Sequence, residues 1–89
     1  MCRSIRLLFN FDPPTTEEEV RAASLQFVRK ISGFQTPSKA NEAPFRFAVD
    51  QIAGIAIGLL NSLETTATPK TREAEANKAK ARAAERFRV

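Results

Sequence analysis

Only one stretch of this chain alternates as a β-strand does, and a sheet needs at least two. Ile5, Leu7, Phe9 and Phe11 fall on one side of the first eleven residues, with Ser4, Arg6 and Asn10 on the other. This is the two-residue period of a half-buried extended segment. No second segment carries it, and three later ones carry the 3.6-residue period of helices. The chain is therefore read as all-α and as a single domain, since 89 residues is below the size at which a second core forms. It divides into an extended arm, 1–14, and a helical part, 15–89. The arm can lie irregularly across the helices, form a short helical turn, or pair as a strand with its copy in a dimer. Pro13-Pro14 is expected to hold it extended into the first helix.

The punctuation places three helices, at about 16–32, 37–64 and 69–87. Thr15 or Thr16 can cap the first, with Glu18 or Glu19 as the return partner of a capping box. Glu17, Glu18 and Glu19 suit the positive end of the helix dipole, so the acidic triplet reads as structural. Gly33 supplies a left-handed stop, after which Phe34 can fold back on Val28 as in a Schellman motif. Val20, Ala23, Phe27 and Ile31 form the expected buried stripe. Thr36-Pro37 and Thr68-Pro69 read as the caps of helices two and three. Pro44 predicts a kink or a fresh start near Asn41 to Pro44, because it has no N–H for the carbonyl of Ala40. Phe45, Val49, Ile52, Ala56, Leu59, Leu60 and Leu63 share a wide apolar face that belongs at the centre of a bundle. Helix three is apolar only along Ala76, Ala79, Ala83 and Phe87, so it is expected to dock weakly and to fray beyond Phe87.

Composition excludes several chemistries. Hydrophobic residues make up 43% and charged residues 27% of the chain, within the range of sequences that fold. Histidine is absent, which removes imidazole-dependent nucleophiles, the commonest general base and most zinc sites. No phosphate-binding glycine loop, paired carboxylate or metal-ligand spacing occurs, so no catalytic, cofactor or metal residue is assigned and the chain is not read as an enzyme. Asp12, Asp50 and Glu64 can meet only through tertiary structure. The single cysteine, Cys2, cannot form an internal disulfide, which points to a reducing, cytoplasmic setting. Residues 5–11 are too short and too polar at Arg6 and Asn10 for a signal peptide. The most apolar run, Ile52 to Leu60, is half the length a bilayer requires and reads as a core helix rather than a membrane contact.

Three features remain as candidate sites. Gly54 and Gly58 lie four apart in helix two near Phe47 and Ile57, a pattern that calls for another backbone, from this chain or a second copy. Residues 1–69 hold seven basic and seven acidic side chains and 70–89 seven and three, so the last helix carries the net charge of +4. Lys78, Arg82 and Arg86 recur every fourth residue along it and can track a phosphate backbone, although Glu75 and Glu85 stand beside them and no aromatic side chain is interleaved. Cys2 lies near Arg3 and Arg6, which favour thiolate if the arm is ordered, yet no histidine base, resolving cysteine or second soft ligand accompanies it.

Met-Cys-Arg at the start, Phe11-Asp12-Pro13-Pro14, the stretch EEVRAASLQFVRKISGF from Glu18 to Phe34, PSKANE from Pro37 to Glu42 and the basic Ala-rich end together identify a resemblance. Over nearly the whole chain the sequence resembles the bacterial domain of unknown function 2277. The resemblance implies a small helical cytoplasmic protein and supplies no reaction, ligand or site residue. The chain departs from the family pattern at Ser4, at Pro44 and in the middle of helix two at Gly54, Ile57 and Gly58. The expectation is a non-enzymatic interaction or structural module that self-associates as a homo-oligomer, with nucleic-acid binding through helix three as the alternative.

Overall fold

The computed structural model describes residues 5–86, and for Arg86 the backbone alone. Three α-helices follow the arm: α1 (Glu17–Ser32), α2 (Glu42–Ser62), preceded by a 3-10 turn at Lys39–Asn41, and α3 (Arg72–Arg86). No β-strand occurs among the described residues, and the all-α reading holds.

The first helix begins where its residues dictate. The Thr16 hydroxyl accepts from the Glu19 N–H (3.2 Å), and the Glu19 carboxylate accepts from the Thr16 N–H (3.0 Å), completing the capping box. At the other end Gly33 adopts φ +80°, the left-handed conformation that favours glycine. The stop is the simpler αL motif rather than a Schellman motif: the Gly33 N–H donates to the Arg29 carbonyl (2.9 Å), the Phe34 N–H donates to the Ser32 hydroxyl, and Phe34 stays exposed. Pro44 lies in the first turn of α2, where a missing N–H costs nothing, so the expected restart is realised by the 3-10 turn and the new helix. Thr36 does not cap it, because residues 37 and 38 are extended before the 3-10 turn begins.

Helix α3 starts three residues later than the Thr68-Pro69 signal. The Lys70 N–H donates to the Asn10 carbonyl (2.8 Å), and the Asp12 N–H donates to the Lys70 carbonyl (3.0 Å), an isolated bridge that holds Lys70 extended. The cap passes to Thr71, whose hydroxyl accepts from the Ala74 N–H. Within a single chain the arm is thus irregular rather than a helical turn. Asn10 takes φ +65°, and the Asp12-Pro13 peptide is cis rather than part of an extended entry to α1.

Helices α1 and α2 pack against each other, and α3 packs on neither. The buried row on α1 is Val20, Ser24 and Val28, and on α2 it is Val49 and Ala53. This corrects the expected stripe of Val20, Ala23, Phe27 and Ile31: Phe27 is 44% and Ile31 67% exposed. The physical reason is Ser24, whose hydroxyl donates to the Val20 carbonyl (2.8 Å) and is satisfied within its own helix. A small, self-satisfied side chain at the centre of the row lets α2 approach there, and the neighbouring apolar row is left outside. The wide face of α2 is corrected in the same way, since Leu59 and Leu63 remain exposed where the centre of a bundle was expected. The Arg21 guanidinium bonds Asp50 across the pair.

Candidate self-association surface

The uncovered side of the helix pair is continuous. Ala23 and Phe27 from α1, Ile52, Ala56 and Leu59 from α2, and Ile5, Leu7 and Phe9 from the arm line a groove of about 380 Å³ whose walls are almost wholly apolar. Ile31 lies one turn beyond Phe27, and Ile55 and Leu63 lie one turn to either side of Leu59, so helical spacing extends the same surface along both helices. Ile55 is 73% and Leu59 56% exposed. The buried Ser24 also lines this groove, its one hydroxyl proton already used by Val20.

The pair Gly54 and Gly58 has open space where a Cβ would stand, so no backbone among the described residues approaches either glycine. Close packing among the described residues is therefore not the reason for them. Phe47 is exposed near by, whereas Ile57 turns into a separate cavity of about 280 Å³ with Val20, Leu60 and arm residues Leu8 to Phe11. The four residues Phe47, Gly54, Ile57 and Gly58 are therefore not one surface. The sequence did not single out Phe27, Leu59 or Leu7 as exposed, although α1 carries two apolar rows four residues apart in step, only one of which a single partner helix can bury.

A second construction joins α3 to the rest. Arg72 donates to the carbonyls of Pro13 (2.7 Å) and Pro14 (3.3 Å) and to the Glu19 carboxylate (2.9 Å), and its guanidinium lies 5.3 Å from the centre of the Phe11 ring. Arg6 stands 3.9 Å from the other Glu19 oxygen. The Arg72 hydrogen bond and the Thr16 N–H hold the Glu19 carboxyl below its ordinary value of 4.5. Of the basic residues on α3, Lys78 lies 3.8 Å from Glu75, and Arg82 lines a groove with Arg6, Arg72, Glu19 and Glu75. The side chain of Arg86, and Cys2 with Arg3, lie outside the described residues. Among the described residues no three carboxylates or thiols gather as a metal site would require, and Asp50 is engaged by Arg21.

The segment Lys39–Ser62 spans 24 residues with a most apolar window of mean hydropathy 1.3, only 11% of it buried. By length and composition it can cross a membrane, which the nine-residue run alone does not suggest.

A small all-α chain with a helix pair open on one apolar side and a third helix pinned through a single arginine is the class these features define. Residues 1–78 match the family described as Uncharacterized conserved protein (DUF2277), and the chain belongs to that family. The match takes in the arm, both packed helices and Arg72. No curated protein and no solved structure matches the chain.

Proposed function

We propose that this protein is a non-enzymatic interaction or structural module that self-associates to complete its core. The observation that carries this reading is surface area. The chain exposes 7267 Å². A compact monomer of 9.9 kDa exposes about 5,200 Å². Subtracting the most that the seven residues outside 5–86 could contribute, about 1,100 Å² on the unfolded-chain scale, still leaves an excess of about 1,000 Å² over the full-length reference. Two copies that each buried such an excess would share about 2,000 Å², where standard interfaces meet obligate ones. Shape supports the same reading: the molecule is 15 Å across in its thinnest direction, whereas a helix pair covered on both faces needs about 25 Å.

Nucleic-acid binding through α3 is the weaker reading. Exposed Lys78, Lys80 and Arg82 favour it, but Glu75 stands beside Lys78 and no aromatic side chain lies in Arg72–Arg86 to stack a base. Sedimentation of the full chain over a range of concentrations tests the leading reading. A mass that rises to a closed oligomer is expected, and a concentration-independent monomer refutes it.

A further inference from the structure

We infer that the occupant of the groove between the arm, α1 and α2 is the same face of a second copy, so that two helix pairs stack about a two-fold axis into a four-helix core. This rests on the self-association reading and adds the face and the symmetry. Three observations select the face. First, the groove is apolar to its floor, with Phe27 on one wall and Leu59 on the other, and Ser24 beneath them makes no demand on a partner because its proton is already bound. A partner of matching apolar chemistry leaves no polar group stranded, and the chain itself presents such a surface. Second, most of the large exposed apolar side chains belong to this side by position: Ile5, Leu7, Phe27 and Leu59 line the groove, and Ile31 and Ile55 extend its two walls. The whole-chain excess of about 1,000 Å², to which the unpacked α3 also contributes, is of the size each copy buries in a stable isologous dimer. Third, the competing glycine side of α2 offers less. Its large exposed apolar groups are Phe47 and Ile55, the latter shared with the rim of the groove, and between them stand Gln51, Gly54, Gly58 and Ser62.

Charge is compatible with a face-to-face approach. Arg6 is the groove's one charged lining residue, and the Glu19 carboxylate stands 3.9 Å from it. A two-fold stack brings one Arg6 from each copy to the contact, each offset by its own Glu19, whereas α3 of a second copy would bring Lys78, Lys80 and Arg82 to a groove that already holds Arg6.

Leu59→Glu and Phe27→Glu each place a carboxylate inside the proposed contact, while Phe47→Glu places one on the glycine side. Sedimentation of the three full-length variants, with helicity followed by circular dichroism, is expected to give helical monomers for the first two and the wild-type oligomer for the third. Dissociation by Phe47→Glu alone, or oligomers that persist in both groove variants, overturns the face while leaving self-association standing. A wild-type chain that is monomeric throughout overturns both. Because the sequence contains no tryptophan, Leu59→Trp provides a reporter that does not rely on a charged substitution. Its emission is expected to move to the red as the protein is diluted, whereas that of Phe47→Trp stays fixed. Emission at position 59 that does not change through dissociation contradicts the inference.

Discussion

Glu19 serves three partners at once. It closes the capping box of α1, accepts from Arg72 and lies beside Arg6. Because its folded-state carboxyl sits below the ordinary 4.5, the stability it supplies is complete above that value and is lost as pH falls through the lower, folded value. Glu19→Gln keeps an acceptor for the Thr16 N–H and removes the charge, so it isolates the ion pair from the cap. At neutral pH the variant is expected to be less stable by up to about 1 kcal/mol. The gap between variant and wild type should close as the pH drops below the folded value, as denaturant titrations at a series of pH values would show. A gap of equal size in acid would mean that the charge is not what Glu19 contributes. Ser24 shows the opposite kind of residue economy, since a polar group satisfied by its own helix is free to be buried, and a reading that ranks residues by hydropathy passes over it.

At the scale of elements, α3 is the piece whose attachment can be cut. It packs on neither α1 nor α2, and Arg72 reaches the arm and α1 on its behalf, with the Lys70 bridge just before it. Arg72→Ala should therefore leave α1 and α2 as they are and raise amide exchange along Arg72–Arg86 several-fold. Arg72→Lys should not restore the wild-type rates, because an ammonium cannot span two carbonyls and a carboxylate in one plane. Exchange in α3 that is unchanged by both substitutions would show that the bridge alone holds it. Much of this layout was legible beforehand, for physical reasons. Thr16, Glu19, Gly33 and Pro44 act through their own backbones, so the ends of α1 and the restart of α2 follow from local chemistry. The start of α3 did not follow, because Thr68-Pro69 is overruled by a pairing of Lys70 with Asn10 and Asp12 some sixty residues away. The buried stripe of α1 was misplaced for a related reason. Two rows, one through Ser24 and one through Phe27, both fit a helical period, and only the position of α2 decides between them. The thin packing of α3 was legible, since alanines bury little wherever they are placed.

The whole molecule is flat and open, with a Cα radius of gyration of 15.8 Å. A compact chain of this length has about 12 Å. Four apolar side chains are buried among the described residues, Val20, Val28, Val49 and Ala53, and none of them is wholly sealed from solvent. Such a core is small for a lone domain, and the adjoining apolar face is a ready reserve of burial among the described residues. If a second copy covers that face, folding and association are one equilibrium, and stability depends on how much protein is present. The most direct measurement is the thermal midpoint of the full chain over two decades of protein concentration at fixed pH and salt. The account predicts a midpoint that climbs steadily with concentration, together with a loss of that dependence in Leu59→Glu. A wild-type midpoint that stays constant across the range would contradict it.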